Sequence, residues 1–133
     1  MKALIISSTY YPEITKGLKQ GAKNILKLRK ISFKEKNVSG SYEIPFALKK
    51  YIKKYDLFIV LGCVIKGQTY NFDLISNVII NQISKLSLDY NKPVGMGILF
   101  CKNRSQAIAR SKISSRLNRG KEAANAAIHL LNI

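Results

Sequence analysis

The chain has 133 residues, 47% of them hydrophobic, which suffices for one domain with a real core and is too little for two. Its 23 Lys and Arg against 7 Asp and Glu give a formal net charge of +16, a field that attracts anionic small substrates and polyanions alike. No stretch approaches the ~18 apolar residues of a membrane span, and the isolated Cys63 and Cys101 suit buried small hydrophobes in a reducing compartment, so a cytoplasmic protein without membrane attachment is expected.

Residues 3–7 form a short isoleucine-rich run, the pattern of a strand covered on both faces. Pro12 suits a first helical turn, and Ile14, Leu18, Ala22, Ile25 and Leu28 recur at helical spacing behind it. Residues 31–38 predict a weaker, more exposed strand at the sheet edge. After the Ser39-Gly40-Ser41 turn, Ile44, Leu48, Ile52 and Tyr55 make a second helical stripe, with Pro45 tolerated in its first turn. Residues 57–61 are the clearest central strand. A helix over about 72–88 directs Leu74, Val78, Ile79, Ile83 and Leu86 inward, and Pro93 ends it before a last strand at 94–100. Residues 105–114 and 118–131 read as two closing helices separated by a polar loop. This alternation predicts an α/β fold: a three-layer, four-stranded parallel sheet in the flavodoxin-like order 2-1-3-4, one domain over residues 1–133.

Two blocks carry the chemistry: Val38-Ser39-Gly40-Ser41-Tyr42-Glu43-Ile44-Pro45 and Leu61-Gly62-Cys63-Val64-Ile65-Lys66-Gly67-Gln68-Thr69-Tyr70-Asn71-Phe72-Asp73. Each begins where a strand-like stretch runs out and ends where a helical pattern begins, the position at which open α/β sheets hold their ligands. Residues 62–69 nearly spell a phosphate-binding Walker pattern, but Gln68 occupies the lysine position, so a P-loop enzyme is rejected. Gly95-Met96-Gly97 lacks a third glycine and lies inside a strand, which rejects a dinucleotide fingerprint. The amides of Gly67, Gln68 and Thr69 with the Thr69 hydroxyl can still converge on one phosphate near a helix N-terminus; a plain tight turn is the alternative.

Glu43, a lone carboxylate at a helix start, can accept hydrogen bonds from hydroxyls, or simply complement the helix dipole. The only histidine, His129, ends the last helix beside Leu130 and Leu131 and reads as a surface or interface residue. No His, Cys or acidic cluster has metal-ligand spacing, and no serine has a partner histidine, so zinc and triad hydrolase readings lack their parts. The basic residues are scattered, with loose clusters at Lys49-Lys50, Lys53-Lys54 and 102–119, and there is no tryptophan. Solvated lysine-rich faces are preferred to a nucleic-acid partner.

Together the blocks resemble the lumazine synthase family of riboflavin biosynthesis. That family carries P-G-[AS]-[FY]-E-I-P after its second strand, matched by residues 39–45 with Ser39 for the first proline, and L-G-x-V-I-R-G-x-T-x-H-[YF]-D after its third, matched by 61–73 with Lys66 for arginine and Asn71 for histidine. Its C-terminal A-I-x-R and N-K-G-x-E-A-A resemble Ala107-Ile108-Ala109-Arg110 and Asn118-Arg119-Gly120-Lys121-Glu122-Ala123-Ala124. The three blocks run in order over nearly the whole chain.

The resemblance implies a condensation of 5-amino-6-(D-ribitylamino)uracil with 3,4-dihydroxy-2-butanone 4-phosphate, releasing phosphate and water, with no cofactor or metal. It implies that Tyr10 stacks on the pyrimidine and that Ser41, Tyr42 and Glu43 hold the ribityl chain and ring edge. Val64 and Ile65 contact the uracil by backbone, and Gln68, Thr69 and Arg110 bind phosphate, with Lys112 or Arg116 as alternatives to Arg110. Arg119 lies near the pyrimidine, and Asn71 takes the place of the proton-transferring histidine, which implies a slow enzyme. Family sites lie between subunits, so Arg110 or Arg119 and Met96 of a neighbour are expected to complete each one. The chain starts directly at its first strand, which favours a pentamer over a 60-subunit capsid. The rival readings are a homologue that binds a lumazine or flavin without efficient turnover, and a basic nucleic-acid-binding module.

Overall fold

The computed structural model describes residues 1–133. The apolar runs form β1 (Lys2–Ser8), β3 (Leu57–Ile65) and β4 (Val94–Cys101), and the charged run forms β2 (Ser32–Val38). All pair in parallel, in the order β2-β1-β3-β4. The expected order is thus observed, and the exposed β2 lies at an edge as its polar composition requires.

Alternation along β3 divides the core. Leu57, Ile59, Leu61, Cys63 and Ile65 point to one face, where they pack with Leu18, Ala22 and Leu26 of α1 (Pro12–Leu28) and Ala123, Ala124 and Ala127 of α5 (Arg119–Leu131). Phe58, Val60 and Val64 point to the other, against Ile44 and Leu48 of α2 (Ile44–Tyr51) and Ile79 and Ile83 of α3 (Phe72–Tyr90). Because β3 is buried at every position, it reads as a continuous apolar run instead of an alternating one. The alanines and Gly120 of α5 allow a close approach: a Cβ on Gly120 would collide with the Leu18 carbonyl of α1.

Three expectations need correction. The third strand does not end at Leu61; it continues to Ile65, because β4 extends alongside it and pairs up to Ile65–Cys101. Leu74 does not face inward: it is 57% exposed, while Phe72 and Ile75 of the same first turn of α3 pack against the core. The helix expected over 105–114 is only α4 (Arg104–Ala109). It stops because Asn118, 1% exposed, turns its Nδ2 inward to donate to the carbonyls of Gly17, Ser111 and Lys112, which ties the following segment to α1. The same side chain caps α5, its Oδ1 accepting from Lys121 N–H at 3.0 Å.

Part of the positive charge is spread over tyrosine faces. Lys2 lies over Tyr55, Lys36 and Lys54 over Tyr51, and Lys49 and Lys53 over Tyr90, all within 6 Å of the ring centroids. No helix is long and apolar enough to cross a membrane.

Candidate active site at the sheet switch point

From β1 the chain turns outward to β2, then crosses back past β1 to β3, so the loops after β1 and β3 diverge. Such a switch point leaves a crevice beyond the carboxyl ends of the strands. A cavity of about 460 Å³ fills it. Tyr10 enters from the β1–α1 loop, residues 39–43 from the connection after β2, Cys63 and Val64 from β3, and Gln68, Thr69 and Tyr70 from the β3–α3 loop, with Ile75 and Ile79 of α3 behind them.

β1 and β3 end at different heights, which shapes the crevice. The β1 ladder stops at Ser7–Leu61, whereas the β4 ladder runs on to Ile65–Cys101. The edge of β3 that faces the cavity beyond Leu61 therefore has no strand neighbour, and its main-chain polar groups are offered to whatever planar group lies beside it. Val64 lines this cavity; the Ile65 side chain points into the opposite core and its carbonyl accepts from Gln68 N–H at 3.2 Å.

The 39–43 segment is a single 3-10 turn, Ser41–Glu43, leading into α2. It packs on β3 only because residue 62 is glycine: a Cβ there would stand 2.5 Å from Ser41 Oγ. Ser41 Oγ is buried and has no hydrogen-bond partner within the chain. Glu43 occupies the N-cap position of α2, and Ser39 Oγ donates to its Oε1 at 3.2 Å. Tyr10, 64% exposed, lines the cavity and is not packed in the core.

Asn71 has a structural duty. Its backbone is left-handed, φ 54° and ψ 64°, a region in which asparagine is enriched, and its Oδ1 accepts from Leu74 N–H at 3.4 Å as the N-cap of α3. Its side chain is not among the cavity lining.

Arg110, Arg119 and Met96 do not join the cavity of their own chain. Arg110 follows α4, half-buried, with Nη1 3.8 Å from Cys101 Sγ at the end of β4. It enters none of the five ion pairs, whereas Arg104 is paired with Glu13 and Arg119 with Glu122. Met96 is half-buried on β4, the strand at the other sheet edge. Lys112 and Arg116 are exposed in the segment before α5. His129 is exposed in the last turn of α5 and does not line the cavity. A second cavity, about 360 Å³ between α1 and residues 108–113, is lined by Lys112 and by Ile108 of the 107–110 block, but by none of the other candidate site residues.

Reading the sequence did not single out Cys63 as a lining residue, although its place in the second block was a usable signal. Burial first, and Cys101 second, push the Cys63 thiol up to about 12. It stays a neutral, apolar wall and supplies no nucleophile. Its raised pKa favours the thiol form in the folded state, so this contribution is intact below the unfolded thiol value of about 8.5 and is lost as pH rises from there toward the folded value. Alkylation at about pH 8 is therefore expected to modify Cys63 far more slowly in the native protein than in urea; equal rates followed by mass spectrometry would contradict a buried neutral thiol.

The family model for 6,7-dimethyl-8-ribityllumazine synthase matches residues 1–133. Among similar proteins, the 6,7-dimethyl-8-ribityllumazine synthase of Bartonella bacilliformis is 35% identical over 96% of this chain and 86% of its own length. Those of Kosmotoga olearia, 34% over 100% and 88%, and Polaromonas sp. strain JS666, 32% over 97% and 84%, are similarly close. The match spans every strand of the sheet and the three connections that build the cavity, and the chain therefore belongs to the 6,7-dimethyl-8-ribityllumazine synthase family.

Proposed function

We propose that this protein condenses 5-amino-6-(D-ribitylamino)uracil with 3,4-dihydroxy-2-butanone 4-phosphate to the lumazine, in the switch-point cavity. The observation that carries the reading is the meeting there of both sequence blocks, 39–45 and 61–73, around one opening. The pyrimidine lies against the unpaired edge of β3 at Val64 and Ile65, where main-chain groups reach its ring edge, and Tyr10 stacks on its face. The ribityl hydroxyls meet Ser41, Tyr42 and Glu43. Ser41 Oγ then gains the partner it lacks in the chain alone, removing a burial cost on the order of 1–3 kcal/mol. The Glu43 carboxylate accepts from hydroxyls with the α2 N-terminus beneath it.

The second substrate's phosphate rests on Gln68 and Thr69, with Arg110 as its charge partner. The 5-amino group condenses with the butanone carbonyl to an imine with loss of one water, phosphate is eliminated, and the ring closes onto the remaining carbonyl with loss of a second water. Two reactants fixed side by side supply much of the rate without a metal or cofactor.

Arg110, Arg119 and Met96 lie outside the cavity of their own chain, and this supports a site completed by a neighbouring subunit. The assembly we infer is a homo-pentamer; a sedimentation mass matching a stable monomer at micromolar concentration would refute it. The reaction is tested by mixing both substrates and following lumazine absorbance. Turnover above background sustains the enzyme reading. Tight pyrimidine or flavin binding without turnover replaces it with a binding protein.

A further inference from the structure

Tyr11 is not part of the cavity wall, yet it touches two residues that are. Its ring meets Tyr10 edge-on, with centroids 4.9 Å apart and planes at 88°. Its hydroxyl donates to Gln68 Oε1 at 2.8 Å, across 57 positions of sequence. One phenol thus joins the β1–α1 loop to the β3–α3 loop beside the crevice. We infer that Tyr11 is a positioning residue that orients the Gln68 carboxamide so that its donor end faces the phosphate of the bound substrate. The inference rests on the phosphate-binding role proposed above for Gln68.

A carboxamide has an acceptor end and a two-donor end, and only the second suits an oxyanion. Gln68 is exposed, in the short loop between β3 and α3, where an untethered amide can present either end. With Oε1 engaged by the Tyr11 hydroxyl, Nε2 is directed away from Tyr11 and its two N–H groups remain for a ligand. This is the only side-chain hydrogen bond that Gln68 makes within the chain.

Tyr11 is a firm anchor for such a tether. Pro12 at the start of α1 keeps the residue before it out of the helical region, and Tyr11 is observed at φ −117° and ψ 81°. Its carbonyl accepts from Thr15 N–H at 3.0 Å, and its ring packs against the core beneath α1 and α5. Burial, and then the neighbouring Cys63, raise the phenol above its ordinary range, so it retains the donated proton throughout neutral pH.

The test is a cycle of wild type, Tyr11→Phe, Gln68→Ala and the double variant, each studied as the full assembled protein. KM is measured for both substrates, and Kd for inorganic phosphate by calorimetry. Tyr11→Phe keeps the ring contact with Tyr10 and removes only the hydroxyl. The expected result is a roughly two- to tenfold rise in KM for the butanone phosphate and in phosphate Kd, the size of one neutral hydrogen bond, with pyrimidine KM unchanged. In the Gln68→Ala background the same substitution is expected to add nothing. An equal increment in that background, equal losses for both substrates, or unchanged phosphate affinity would each overturn the inference. If wild type binds phosphate but makes no lumazine, the proposed reaction fails, while the coupling of Tyr11 to Gln68 is still decided by the phosphate Kd values.

Discussion

Asn71→His raises kcat by about tenfold, with little change in pyrimidine affinity and a loss of about 1 kcal/mol in stability. Imidazole can accept and return a proton near neutral pH and an amide cannot, and positioned acid or base assistance typically contributes ~10² to 10⁴-fold. The gain falls below that range because the substrate phosphate, with a second pKa near 6, is itself a base within the site. The stability loss follows from Asn71 Oδ1 accepting from Leu74 N–H, a cap worth about 1 kcal/mol that histidine does not reproduce. The backbone does not forbid the exchange, since histidine, like asparagine, is enriched in the left-handed region that Asn71 occupies at φ 54°. Stopped-flow turnover and urea unfolding of the two proteins check both halves. A histidine variant no faster than wild type would mean that proton transfer at this position does not limit the reaction.

Arg110→Ala weakens use of the butanone phosphate by about 2 kcal/mol or more in kcat/KM, the loss of a charge-assisted contact, and leaves pyrimidine binding nearly intact. The basis is the state of its charge: Arg110 is half-buried with a sulfur neighbour and no carboxylate partner, unlike Arg104 and Arg119. The guanidinium is therefore available to an anion. Its backbone N–H bonds to Gln106 and its carbonyl to Arg119, contacts that alanine preserves, so the fold should tolerate the change. Equal losses for both substrates, together with a lower sedimentation mass, would assign Arg110 to assembly instead. The same measurement on Lys112→Ala and Arg116→Ala decides among the three cations.

The sequence alone determined the alternation of strand and helix, the parallel sheet and its order, and the two blocks that surround the cavity. These are legible because burial leaves a period: β3 is apolar at every position since helices cover both faces, and β2 is charged since it lies at an edge. Glu43, Gln68 and Thr69 were also legible as candidates, because the block containing each lies between a strand and a helix, where the fold concentrates its ligands. Their positions at the cavity agree with that reading. What only the tertiary structure decided depends on register and on partners distant in the chain. The open edge of β3 exists because β1 stops pairing at Leu61 while β4 continues to Cys101, a difference in height that neither strand's own pattern records. The short α4 follows from Asn118 reaching back to Gly17, and the orientation of Gln68 from a hydroxyl at Tyr11. Asn71 carries a motif position in sequence and a helix cap in space. Hydrogen bonds of this kind are set by where the folded backbone brings two side chains, and no periodicity in a single segment encodes that distance.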